Sequence, residues 1–186
     1  PYTGVGYEMP PAEAEYVTCS HGHFDHAFVQ GVQGVREVIA EPGSYERGGW
    51  KIEGIPAFHD EVRGAKRGKD IIFIFEADGL RLCHMGDIGE PPSERLLCRI
   101  GRPDVLFVPV GGTYTVDAAG ALEWIRAIRP DIAVAMHFAA EGCTLDIGGA
   151  GELTAAGGDC LCTGSEIELS ERAYIGKILI PERRRG

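Results

Sequence analysis

His21-Gly22-His23-Phe24-Asp25-His26 is the stretch from which the rest of the chain is read. Four of its six side chains can bind a metal ion. A random chain of the same histidine and aspartate content would contain the pattern HxHxDH by chance about three times in ten thousand. The spacing has a chemical reason. In an extended segment His21 and His23 point to the same side, because side chains alternate with period two. They can grip one ion together. If the chain then turns, Asp25 and His26 can swing toward a second ion. Imidazole suits zinc, and a carboxylate adds the charge that two adjacent dications need. The competing reading is a His-rich surface loop.

Working outward, Glu15 to Ser20 reads as a short strand that delivers the motif at its C-terminal end. Asp25 to Gln33 reads as a short helix begun by Asp25 and closed by Gly31 and Gly34. Val35 to Ala40 is strand-like, and Glu41-Pro42-Gly43-Ser44 is a turn. Trp50 to Phe58 alternates as a strand and ends at His59. A polar loop follows from Asp60 to Asp70. Ile71 to Glu76 and Leu80 to His84 flank Ala77-Asp78-Gly79, a hairpin signal, and the second strand runs into His84-Met85-Gly86-Asp87. Asp104 to Val110 is apolar on both faces and predicts a central strand before Gly111-Gly112. Asp117 predicts the N-cap of a helix through Arg129, with Ala118, Ala121, Leu122, Ile125 and Ile128 as its buried stripe and Pro130 as its stop. Ile132 to Met136 is a strand ending at His137. Ala139 to Gly158 shows no clear pattern. Cys160 to Leu169 and Ile175 to Ile180 read as closing strands.

All six histidines thus fall at or just past the ends of predicted strands. Strand ends are where open α/β folds place their ligands. One histidine would be an ordinary core or surface residue. Six so placed, with Asp25 and Asp87 beside them, argue for one shared site.

Composition narrows the function classes. The length fits one domain spanning residues 1–186. The Gly-, Pro- and Tyr-rich opening, residues 1–13, reads as loop. No apolar run approaches membrane-spanning length and no signal peptide is visible, so a cytoplasmic location is expected. Net charge is −10, which disfavours nucleic-acid binding. The Glu182-Arg183-Arg184-Arg185 run reads as a solvated tail. The six cysteines contain no CxxC pair and read as free thiols, Cys83 and Cys98 as small buried hydrophobes, with Cys160 and Cys162 facing one side of a strand.

HGHFDH, then His59, then Gly86-Asp87 after a hairpin, then His137 after a helix and strand, together resemble the metallo-β-lactamase superfamily of metal-dependent hydrolases. The resemblance runs from about Glu15 to His137. The segments around His84-Met85-Gly86-Asp87 and Pro109-Val110-Gly111-Gly112-Thr113-Tyr114-Thr115 are more similar to its lactonase-like, UlaG-type branch. The resemblance implies an α/β (α+β) fold, the αββα sandwich, here starting just after the first strands of its first sheet. Those strands would be absent or supplied by another chain, and a bare sheet edge would favour association, so a homo-oligomer is one expectation.

Carried over onto this chain, the resemblance implies that His21, His23 and His59 hold a first metal. Asp25, His26 and His137 would hold a second, with Asp87 bridging. Two divalent ions are expected, zinc first, with manganese or iron accepted by the same ligands. They would share a water or hydroxide that attacks a carbonyl or phosphoryl centre. Asp25 would orient the nucleophile or take its proton. His84 is assigned either a proton-donor role or a hydrogen bond within the sheet. Asp60 could support its neighbour His59. Arg63, Lys66 and Arg67 could seat an anion or lie in a solvated loop. Gly111 and Gly112 would let backbone approach the site, and Gly112, Thr113 and Tyr114 are candidate substrate contacts with Arg67. The expected partner is a small molecule, a lactone, ester or phosphate-bearing metabolite. The alternatives are a phosphodiesterase or nuclease of the same fold, a redox or dioxygenase relative, and a non-catalytic metal-binding scaffold. His23, where two-iron relatives tend to carry Glu, favours hydrolysis over redox chemistry.

Overall fold

Apolar residues alternating along successive strands build a sheet with two buried faces. The computed structural model describes residues 5–6, 9–169 and 172–183. The readings made for residues 1–4, 7–8 and the arginines at 184 and 185 lie outside the described residues. In chain order the strands are β1 (Ala12–Glu13), β2 (Tyr16–Thr18), β3 (Val32–Gln33), β4 (Glu37–Ile39), β5 (Gly43–Arg47), β6 (Trp50–Phe58), β7 (Lys69–Ala77) and β8 (Leu80–His84). Then come α1 (Glu94–Ile100), β9 (Val105–Pro109), α2 (Ala118–Ile128), β10 (Ile132–Met136), α3 (Gly151–Ala155), β11 (Cys160–Thr163) and β12 (Ile178–Pro181).

Eight strands form one mixed sheet in the order β11-β12-β10-β9-β8-β7-β6-β5. β5 to β8 are antiparallel neighbours, and β8, β9, β10, β12 and β11 run parallel. The side-chain period of two divides the sheet's residues between two faces. Ile55, Ile72, Ile74, Leu106, Val108 and Ala133 pack under the helices, against Leu96, Ile100, Ala121, Trp124 and Leu153. Ile52, Ile71, Phe73, Val105, Ile132 and Val134 face the other way. There Ile39 of β4 packs on the first group, and Ile167, Leu169 and Tyr174 cover the second. Two short parallel ladders, β1–β3 and β2–β4, supply further strands. The fold is an α+β sandwich in which one eight-stranded sheet dominates the described residues.

Three expectations are corrected. The helix expected over residues 25–33 is instead one turn plus a 3-10 turn at Val29–Gly31. The N–H groups of His26 and Ala27 both donate to His23 O at 3.0 Å, and the chain then leaves helical geometry as β3 begins at Val32. β-Branched Val29 and Val32 with Gly31 and Gly34 favour that exit. The strand expected over residues 160–169 stops at Thr163. Cys98 is exposed rather than buried, on the outer side of α1, whereas Cys83 is fully buried. All six thiols are free. Five elements had not been expected, β1, β3, β5, α1 and α3: Ala12–Glu13 lies in the stretch read as loop, Val32–Gln33 in the expected helix, and Gly151–Ala155 where no pattern showed. Ser93 caps α1 by accepting from Leu96 N. No helix among the described residues is long and apolar enough to cross a membrane.

Candidate metal centre

The site lies where the strand ends converge. β2 ends three residues before His21, β6 leads directly into His59, β8 runs through a tight turn to Asp87, and β10 leads directly into His137. Parallel pairing of β8 and β10 with β9 between them brings two of these exits, and that of β9, to one end of the sheet. Two of the supporting backbones are unusual. His137 has φ +51°, and Gly111 lies so close to it that a Cβ there would sit 2.3 Å from His137 O. Only glycine fits at 111, which lets the β9 exit lie against the β10 exit.

The geometry centres on one oxygen. Asp87 Oδ2 lies 3.8 Å from His21 Nε2, 3.3 Å from His26 Nε2, 3.5 Å from His59 Nε2 and 3.4 Å from His137 Nε2. His21, His23 and His59 form one group whose donor atoms all lie within 4.8 Å of one another, and His21, His26 and Asp87 form a second. The imidazole of His21 has its ring centroid 4.7 Å from that of His23 and 4.6 Å from that of His26. Asp25 Oδ2 comes to 3.6 Å from His26 Nε2. The seven side chains singled out as metal ligands therefore converge. The two tightest groups share His21 between them, and Asp25 and His137 stand at the margin of the second.

The protonation states suit cation binding. Burial, reinforced by the neighbouring imidazoles of His21 and His23, lowers the pKa of His59 to about 4. Burial also lowers His26. Burial opposes the charge on Asp87. The hydrogen bond from His137 and the charges of His26 and His21 outweigh it and hold the carboxyl at about 2. His137 moves the other way, because Asp87 outweighs its burial. His21 Nε2, His59 Nδ1 and His137 Nδ1 are buried without a hydrogen-bond partner among the described residues. Buried polar atoms are normally satisfied. Imidazoles that burial keeps neutral at His26 and His59, one ionised carboxylate and an orphaned Nε2 at the centre make a donor set that fits divalent metal ions.

The remaining candidates divide. Asp60, fully buried, accepts from the backbone N–H groups of Val62, Gly64, Lys66 and Arg67. Burial opposes its ionisation, but the four donors hold it at about 2. It shapes the loop after His59. Arg67 Nη2 donates to Thr113 O at 2.5 Å, which ties that loop to the 112–116 turn. Thr113 itself has φ +55°, and Gly112 N donates to Val116 O. Tyr114, 41% exposed, joins Phe24 and Leu145 around a cavity of about 270 Å³ over His26, Asp87 and His137. His84 stands apart: its Nδ1 accepts from Gly86 N at 3.1 Å, and its ring leans on Phe107 beside an apolar cavity. A second cavity, about 1010 Å³, opens on the His21 and His23 side and is walled in part by Arg63, Arg67, Lys69 and Arg95. Sequence reasoning missed Arg95, which α1 presents, and Asp70, a fully buried carboxylate beside His21. The only signal for Asp70 was a charged residue at the mouth of an apolar strand.

Known proteins place this arrangement. A family model for the beta-lactamase superfamily domain matches residues 1–137. A Carboxydothermus hydrogenoformans protein named a UPF0173 metal-dependent hydrolase is 30% identical over 151 residues, covering 67% of this chain and 67% of the relative. A relative of the same name from Opitutus terrae is 30% identical over 166 residues, covering 74% and 72%. The crystal structure of a Thermotoga maritima protein, provisionally assigned as a Zn-dependent hydrolase of the metallo-beta-lactamase superfamily, superposes with a TM-score of 0.78 at 32% identity, over 94% of this chain and 84% of that one. The chain belongs to the metallo-β-lactamase superfamily, among its metal-dependent hydrolases.

Proposed function

We propose that the protein is a binuclear hydrolase of small anionic substrates, a lactone, ester or phosphate-bearing metabolite, of the lactonase-like UlaG-type branch. The observation that carries the binuclear reading is the position of Asp87 Oδ2 within 3.8 Å of four imidazole nitrogens drawn from three separate segments. His21, His23 and His59 would hold one ion, and Asp25, His26 and His137 the other, with Asp87 between them. When bound, the ions, zinc by preference of the donor set, lower the pKa of water and polarise the scissile carbonyl or phosphoryl oxygen.

The chain's own residues supply the rest. The Asp25 carboxylate, at the margin of the cluster and 3.6 Å from His26 Nε2, would accept the proton of the attacking water. Asp87 and the imidazoles around it gather the donors before substrate arrives. Arg63, Arg67, Lys69 and Arg95 put four cations around the larger cavity of a chain whose net charge is −10. Glu41, Asp70 and Glu90 line the same cavity, and Glu90 pairs with Arg95 at 3.7 Å, so the cations exceed the carboxylates by one; that excess in an acidic chain supports an anionic group on the substrate. Phe24, Tyr114 and Leu145 offer it an apolar rim. The six free thiols support a reducing, cytoplasmic setting.

The test is turnover of a panel of lactones, carboxylic esters, phosphomonoesters and phosphodiesters, with and without chelator. Chelator-sensitive hydrolysis of an anionic lactone or ester is the expected result. Activity confined to polynucleotides would move the reading to a nuclease of the same fold. No turnover by a fully metal-loaded chain would move it to a scaffold.

A further inference from the structure

Asp70 is the second residue of β7, and its side chain is wholly buried. Neither carboxylate oxygen meets a hydrogen-bond donor in good geometry. The donors that face it are His21 Nδ1, 3.5 Å from Oδ1, and the backbone N–H of Asp87. A buried carboxylate without partners is costly, because the charged form loses its hydration and gains nothing in return. A fold does not need this one.

The surroundings show what the carboxylate is aimed at. On one side is His21, the imidazole common to both donor groups, whose Nε2 is itself buried and unpartnered. On the other is Gly86. A Cβ at position 86 would lie 2.4 Å from Asp70 Oδ1 and 2.6 Å from Oδ2, so the turn that presents Asp87 rests directly on this carboxylate. Asp70 therefore touches the support of one imidazole ligand and the support of the carboxylate ligand.

We propose that Asp70 is a positioning residue for the metal centre: it accepts from His21 Nδ1–H, keeps the Nε2 lone pair directed at the ions, and supplies a buried negative charge that the ions compensate. The proposal rests on the metal-centre reading above. A carboxylate behind a ligating histidine fixes its tautomer and raises its basicity. Ser20 Oγ, 2.9 Å from the same Nδ1, is the competing partner. A hydroxyl can donate as well as accept, so it does not select the tautomer. A carboxylate can only accept, so it does.

The expectation has opposite signs in the two states of the protein. Without metal, Asp70→Asn removes an uncompensated buried charge and keeps the shape. With metal, it removes a counter-charge and the tautomer lock. Zinc affinity of the full chain is to be measured by competition with a chromophoric chelator at one fixed pH, beside thermal melts of metal-free and zinc-loaded protein. For Asp70→Asn the dissociation constant should rise about 10- to 100-fold, while the metal-free melting temperature stays level or rises. Ser20→Ala should move the constant less. The proposal is overturned if Asp70→Asn binds zinc like wild type, if Ser20→Ala has the larger effect, or if Asp70→Asn melts lower without metal, which marks a purely structural residue. Asp70→Ala, run in parallel, should weaken zinc binding at least as much as Asp70→Asn; affinity like wild type would also overturn it. A wild-type chain that binds no zinc would instead bring down the metal-centre reading beneath it.

Discussion

At the scale of single residues the account turns on side chains that converge without touching the core. His23 is exposed while His59 is buried, although both belong to the same donor group. Removing His23 should therefore cost chemistry rather than folding. His23→Ala is expected to lower hydrolysis by more than about a hundredfold, the upper range for residues that only support a ligand, with an unchanged circular dichroism spectrum. His84 predicts the reverse. It accepts the Gly86 N–H from outside the cluster, so His84→Ala should cost stability, about 1–3 kcal/mol for an orphaned buried donor. Urea unfolding reads that loss, and turnover by the folded fraction should fall far less than in His23→Ala. Both histidines stood out in the sequence. The resemblance already made His23 a ligand and left His84 between a proton donor and a hydrogen bond within the sheet; the structure shows His84 Nδ1 accepting from Gly86 N, because strand spacing does not say which way the following turn carries its neighbours.

At the scale of elements, the loop after His59 is built on one carboxylate. Asp60 is ionised in the fold down to about pH 2, while a carboxyl in the unfolded chain binds its proton near 3.8. The unfolded state thus takes up a proton first as pH falls. The stability that Asp60 contributes is complete above about 4 and is lost as pH falls toward 2. Asp60→Asn should lack that component of the acid-unfolding curve and should also free the Arg67 contact to Thr113. The same scale shows what the sequence pattern carried. β6, β8 and β10 begin and end where alternation placed them, and Asp117 accepts from Gly120 N as the N-cap of α2. These elements have long or fully apolar patterns closed by clear stops. β5 was not legible, because Gly43 to Arg47 is polar and Gly43 and Ser44 were read as the end of a turn over Glu41-Pro42-Gly43-Ser44; pairing with β6 makes it a strand. α1 was legible in principle from Ser93, Glu94 and Gly101, but seven residues give too few turns for a period to show. The helix expected after Asp25 failed because the side chains of Asp25 and His26 are drawn to the cluster, a tertiary demand that overrides a local cap signal.

At the scale of the whole molecule, the helix face of the sheet carries the stability and the strand ends carry the chemistry. Trp124 is fully buried beneath α2, and its Nε1 donates to Glu90 O, which ties α2 to the segment just beyond Asp87. It was absent from the expected stripe because tryptophan is seldom buried whole. Trp124→Ala should cost about 3–5 kcal/mol in chemical denaturation. The charge distribution is also uneven, since a chain of net −10 sets Arg63, Arg67, Lys69 and Arg95 against Glu41, Asp70 and Glu90 around one cavity. Arg63→Ala with Arg95→Ala should raise KM for anionic substrates and leave neutral esters nearly unaffected, as steady-state kinetics on matched substrates would show.

The convergence of four imidazoles on one carboxylate oxygen is the centre of this account, and metal stoichiometry tests it most directly. Purified protein, stripped with chelator and reconstituted with zinc, should hold two ions per chain by elemental analysis, and one fewer or none in His59→Ala. A wild-type chain that saturates at one ion would contradict the binuclear centre, and one that retains none would contradict the metal centre altogether.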